Sequence, residues 1–191
     1  YAELEALFSL DMPEKTAVCI LADKEEIGSV GISGMQSHYF EHFMEGLCDA
    51  QGVKLSDCFA NSFCLSADVS NAFDPNWPET CDKRNNSQLN YGVAICKYTG
   101  SRGKGGASDA SAEAMGHVRS TLDKAGVIWQ IATLGKVDQG GGGTVAAYMA
   151  NRNIVTVDAG VPVLSMHAPL ELVSKLDCYE TMLACKAIYL A

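Results

Sequence analysis

"TAVCILADKEEIGSVG", Thr16 to Gly31, runs from an apolar, β-branched stretch straight into a knot of charge. Residues 16–23 read as a strand buried on both faces, the kind found in a sheet covered by helices. That strand ends in Asp23, Lys24, Glu25 and Glu26. Two adjacent carboxylates at the rim of a core are costly unless a cation or a chemical task compensates their desolvation. One short segment therefore sets two expectations: an α/β layered domain, and a site at the carboxyl ends of its strands, where such sheets gather ligands.

The rest of the chain continues the alternation. Further strands are predicted at 63–69, 92–99, 127–134, 154–160 and 161–167, and helices at 37–51, 108–125, 144–151 and 170–190. Two segments interrupt the pattern: a polar, proline-containing loop over 70–91, and the Gly-rich loop "GSRGKGGA" over 100–107. Loops of that kind often carry function. The chain opens at Tyr1 in "YAELEALFSL", which reads as an amphipathic helix entered midway, so an N-terminal portion is expected upstream.

Composition narrows the function classes. Of the 191 residues, 48% are hydrophobic and 19% charged, which fits one globular domain with a sizeable core. A net charge of -9 with no basic run argues against nucleic acid or an anionic membrane as the partner. Apolar runs such as "GVAIC" are too short to span a bilayer, and no secretory leader is visible. The eight cysteines form no C-x-x-C pair, and several fall inside predicted elements, so reduced thiols and a cytoplasmic location are expected.

The predicted strand ends carry chemistry. Asp23, Glu25 and Glu26 follow the first strand, Asp68 ends "SAD", Asp158 follows "VTV", and His167 closes "SMH". Acids and one histidine converging this way suit a hard-to-borderline divalent metal, with one glutamate holding the cation and its neighbour free to move protons.

"DKEEIGS", "LSADVSNA" and "GVPVLSMHAP", in that order and at these separations, resemble the M18 family of metallo-aminopeptidases, the group of aspartyl aminopeptidase and aminopeptidase I. "DPNWPE", "YTGSRGKGGASDA" and "GGGGT" support the resemblance, which extends over essentially the whole chain. It implies a three-layer α/β/α sandwich with a mixed, largely parallel sheet, and a pair of zinc ions sharing a bridging aspartate. By the same resemblance Glu25 matches the general base, Glu26 and His167 ligate one metal, and Asp68 ligates the other. Gly141, Gly142 and Met166 fall where the substrate cleft would be lined. Manganese and cobalt suit such sites similarly. A peptide substrate and a large homo-oligomer are implied as well.

The resemblance has two departures. A histidine of an H-x-D motif and the bridging aspartate would lie upstream of Tyr1, together with a lid and dimerisation segment. The 191-residue chain is thus expected to be a single catalytic-type domain without its N-terminal portion, inactive by itself. Asn71 stands where the family usually has histidine. A different class stays open on the missing ligands: a non-catalytic remnant or pseudo-enzyme subunit that works through protein contacts. The preferred N-terminal residue, acidic or neutral, is also open.

Other signals read as structural. "HYFEH", His38 to His42, matches the H-x-x-E-H of inverted zinc peptidases. However, Phe40, Phe43, Met44 and Leu47 form an apolar stripe that leaves His38 and His42 with Glu45 and Asp49 on a solvated face. "GGGGT" lacks the lysine of a phosphate-binding loop and is either a close-packed turn or a cleft wall. Arg102 and Lys104 are either solvated or meet an acidic substrate side chain. Asp158 is expected to be a turn residue, and His117 a surface or subunit contact.

Overall fold

The computed structural model describes residues 1–102 and 105–191. Its strands are β1 (Phe63–Asn71), β2 (Val93–Cys96), β3 (Tyr98–Ser101), β4 (Gly105–Asp109), β5 (Trp129–Ile131), β6 (Val155–Leu164) and β7 (Leu172–Val173). Its helices are α1 (Ala2–Phe8), α2 (Tyr39–Gln51), α3 (Leu55–Ala60), α4 (Ala112–Ala125), α5 (Ala146–Ala150) and α6 (Lys175–Tyr189). The main sheet runs β1-β6-β2-β5, with β7 added to β6. It is mixed: β1 is parallel to β6 and β2 to β5, whereas β2 and β7 run antiparallel to β6.

Side-chain alternation along the strands builds the layers. One face presents Val93, Ile95, Val157 and Ala159 to Ala114, Val118 and Leu122 of α4 and Ala184 of α6. Those α4 residues recur every fourth position, one stripe of a helix. Ser111 caps α4 by accepting the Ala114 N–H, and Gly126 ends it in the left-handed region. Across the sheet, Phe40 and Met44 of α2, Phe59 of α3 and Met149 of α5 pack with Met35 and Ile154. The middle of that second face carries polar Ser66 and Asp158 instead, and there the site is built.

Four expectations need correction. The segment 16–23 forms no ladder among the described residues. It faces the free edge of β1 across a cavity of about 540 Å³ lined by Ala17, Val18, Ile20, Phe63 and Leu65, so its backbone groups find no strand to pair with. The two strands expected over 154–160 and 161–167 are one, β6, which ends at Leu164. β2 stops pairing with β6 at Gly160, so the missing N–H of Pro162 breaks no ladder on that side. The 92–99 run splits at Lys97, and β3 and β4 pair antiparallel, Tyr98 with Asp109 and Thr99 with Ser108, so the described residues on either side of the Gly-rich stretch are strand rather than loop. Finally, Phe43 is 52% exposed, and Cys48 takes its place in the buried stripe of α2.

Arg152 locks the second layer. Its Nε donates to Glu41 at 2.7 Å, one terminal nitrogen to the Tyr148 carbonyl at 2.8 Å and the other to the Met35 carbonyl at 3.0 Å. The side chain is nearly buried and lies 6.0 Å from the Phe40 ring centre. We expect Arg152→Ala to destabilise the protein by about 2 kcal/mol, because a charge-assisted pair and two buried carbonyls lose their donor. Arg152→Lys should recover only part of that, since an ammonium cannot reproduce the fork. Denaturation midpoints of the two variants would test this.

All eight cysteines are free thiols. Among the described residues no helix is long and apolar enough to cross a membrane.

Candidate active site

The acids of the opening segment sit on a tight turn. Glu25 to Ile27 form a single 3-10 turn, flanked by Lys24, Gly28 and Ser29 in the left-handed region. The Gly28 N–H donates to the Glu25 carbonyl at 2.9 Å and the Ser29 N–H to the Lys24 carbonyl at 2.8 Å. Asp23 is used locally: it accepts the Ser33 hydroxyl at 2.7 Å. Asp68 projects near the end of β1, where its carboxylate accepts the Val69 N–H at 2.7 Å. His167 lies in the turn after β6 with φ 67°, and its N–H donates to Glu171 at 2.5 Å.

These pieces meet. Glu25, Glu26, Asp68, Gly141, Gly142, Met166 and His167 all line one open cleft of about 1040 Å³. His167 Nδ1 lies 3.8 Å from Glu26 Oε1, although the two come from segments far apart in the chain. Desolvation, then the neighbouring charges of Asp68 and Glu26, push the Glu25 carboxyl above its ordinary range. Desolvation in the cleft floor and the charge of Glu26 likewise push Asp68 up, against the Val69 N–H. Acids that raise one another mark a concentrated negative field, which a dication would relieve.

As metal donors, Glu26, Asp68 and His167 are right in kind for zinc. In number they fall short: among the described residues no three of His, Cys, Asp and Glu converge on one point. Catalytic zinc ordinarily takes three protein ligands. The nearest histidine–carboxylate approach among these three side chains is that of Glu26 and His167, at 3.8 Å.

The remaining candidates separate. Asp158 is a correction: it is a buried mid-strand residue, 6% exposed, in register with Ser66 on one side and Cys96 on the other. It stands there because the two predicted strands around it are one. Burial pushes its carboxyl up, while hydroxyls of Thr144, Ser66 and Thr99 pull it down. Asn71 reaches the cleft, but its carbonyl accepts from Asn86 and Ser87 and its amide donates to Cys81. Gly141 has φ 99°, and a Cβ there would lie 2.0 Å from the Gly100 carbonyl, so close packing and cleft lining coincide at this glycine. His38 and His42 are exposed, with His38 bonded to Glu41 at 2.5 Å. His117 stacks edge-on against Phe63. Arg102 is exposed and Lys104 lies outside the described residues. Glu171 lines the cleft unanticipated, since an acid four residues past a loop histidine follows no periodic rule, whereas Thr144 ends the "GGGGT" run already read as a turn or a cleft wall.

Residues 1–189 match the profile of the family described as Aminopeptidase I zinc metalloprotease (M18). The chain belongs to the M18 family. It is 46% identical to a probable M18 family aminopeptidase 1 of Borrelia garinii over 99% of its own length and 43% of that protein's. The M18 aminopeptidase structure from Thermotoga maritima superposes with a TM-score of 0.95 at 43% identity, covering 99% of this chain and 43% of that one. A yeast M18 relative solved as a dodecamer, mApe1, is 25% identical with a TM-score of 0.69, over 88% of this chain and 38% of its own. The chain thus spans about two-fifths of the length of the curated M18 relatives it matches.

Proposed function

We propose that the protein carrying this chain is a zinc-dependent aminopeptidase that removes the N-terminal residue of peptides, with Glu25 as general base. The observation that carries this reading is the convergence of Glu25, Glu26, Asp68 and His167 from three separate segments onto one cleft. Glu26 and His167 would hold one zinc ion and Asp68 a second, the sets being completed by residues outside this chain. Zinc bound there would acidify a water and polarise the scissile carbonyl. Glu25 accepts the proton of the attacking water and returns it to the leaving amine nitrogen, a role its neighbour cannot share while spending its charge on a cation. Gly141, Gly142 and Met166 form the wall along which the peptide lies. The chain acts as a single catalytic-type domain, inactive by itself, within a homo-oligomer; the dodecameric relative supports the assembly.

Chelation tests the reading. Stripping metal from the whole protein should abolish release of N-terminal residues, and zinc should restore it. Glu26→Gln should lower bound zinc, with affinity falling roughly tenfold or more. Full peptidase activity without metal would reject the mechanism. Absence of activity with both zinc ions bound would favour the non-catalytic class.

A further inference from the structure

A buried carboxylate in the middle of a sheet calls for a reason, because its desolvation is unfavourable unless bonds compensate it. Asp158 has such a bond. Its Oδ2 accepts the Thr144 hydroxyl at 2.6 Å, and the same Thr144 oxygen accepts the Ala146 N–H at 3.3 Å. One threonine thus links the central strand β6, the start of α5 and the glycine run that precedes it.

Close packing holds only the start of that run, where a Cβ on Gly140 would lie 2.5 Å from the Lys136 nitrogen and one on Gly141 2.0 Å from the Gly100 carbonyl. The Gly140 N–H donates to the Lys136 carbonyl at 2.7 Å, and the Gly140 carbonyl accepts the Arg102 N–H at 3.1 Å. Beyond Gly140, among the described residues, the amides of Gly141, Gly142 and Gly143 donate to no protein acceptor. Glycine carries the largest backbone entropy of any residue, so a run of four wanders unless one end is pinned. All three of these glycines line the cleft that holds Glu25 and Asp68. Their spare N–H groups offer donors to peptide carbonyl or carboxylate oxygens without reading a side chain.

We infer that Thr144, anchored on Asp158, is a positioning residue that holds the Gly141–Gly143 amides at the cleft for the backbone of the bound peptide. This deepens the aminopeptidase reading and rests on it for its kinetic readout.

The test compares Thr144→Val with Thr144→Ser in the whole protein. Valine keeps the shape and removes the hydroxyl; serine keeps the hydroxyl. The valine variant should raise KM roughly tenfold, with kcat within about twofold of wild type, a pattern of lost binding shared by ground and transition states. The increase should be the same for substrates with acidic and neutral N-terminal residues, because backbone donors do not distinguish them. Zinc content should be unchanged, and serine should restore KM. An unchanged KM, or serine as impaired as valine, would overturn the assignment, as would loss of zinc in step with kcat. Hydrogen exchange supplies a readout without activity: the Ala146 amide, which donates to the Thr144 hydroxyl, should exchange faster in the valine variant. Equal exchange rates reject the anchor even if the protein is an active peptidase. Faster exchange in a protein without peptidase activity retains the anchor and rejects only the proposed reaction.

Discussion

Glu25→Gln in the whole protein should retain its zinc and lose turnover by roughly 10³-fold or more, the loss expected when a general base is removed beside an intact metal site. The substitution conserves shape and removes only the ability to accept a proton. Glu25 is half-buried, whereas Glu26 is open to the cleft and 3.8 Å from His167, so the two acids face different partners. Glu26→Gln should therefore reduce metal content first and activity as a consequence. Measured side by side, zinc content and kcat separate the roles. Equal, undiminished activity in both variants would remove the assignment. The pH profile adds a signed check. Burial, Asp68 and Glu26 raise the Glu25 pKa, and the charged form is the base. Turnover of the wild type should therefore climb as pH rises through that elevated value, and the residual activity of the glutamine variant should lack this limb.

Periodicity made the sheet and its two helical layers readable. Val93 and Ile95 beside Val157 and Ala159 are short apolar runs of the kind doubly covered strands require, and the fourfold spacing of Ala114, Val118 and Leu122 is a helix stripe. The failures have physical sources. Thr16 to Asp23 has strand composition, but pairing is a property of neighbours, and the nearest edge lies across a cavity. The run from Val155 to Leu164 was read as two strands, although Pro162 lies past the end of the pairing with β2 and breaks no ladder there. Phe43 was placed in the buried stripe by its spacing from Phe40 and Leu47, while the buried face of α2 runs through Phe40, Met44 and Cys48.

The site divides along the same line. Glu25, Glu26, Asp68 and His167 stood out by their distinctive local motifs, and the fold brings them to one cleft, although the segment before Glu25 is not a strand. Asp158 was misplaced for a connected reason. A carboxylate in an apolar run reads as the end of a strand, since burial in mid-strand needs a partner that sequence cannot display. That partner, Thr144, is fourteen residues upstream on another element. Tertiary hydrogen bonds between short polar side chains leave no periodic trace, so the anchor became visible only with the backbone in place.

Asp177→Ala should be the most destabilising polar substitution in the chain, by about 3 kcal/mol, the upper range for taking a carboxylate acceptor away from a buried backbone donor. Asp177 is 1% exposed in the first turn of α6. Its two oxygens accept the backbone N–H of Asn90 at 2.8 Å and of Gly92 at 2.9 Å. Both donors belong to the turn that launches β2, the strand whose Val93 and Ile95 are wholly buried. Asn90 and Gly92 are held in the left-handed region, and a Cβ at Gly92 would lie 2.0 Å from the Ile128 carbonyl. The turn is thus fixed by packing on one side and by the carboxylate on the other. Alanine would leave the amide of buried Gly92 without an acceptor where water reaches poorly, while the amide of exposed Asn90 can turn to solvent. Ser174→Ala supplies the contrast. Ser174 caps the same helix by accepting the Leu176 and Asp177 N–H groups, a role worth about 1 kcal/mol at an N-terminus. Denaturation midpoints should therefore fall several times further for Asp177→Ala than for Ser174→Ala, with faster amide exchange at Gly92 in the former. Equal shifts in the two variants would mean that Asp177 only caps its helix and does not clamp the start of the central strand.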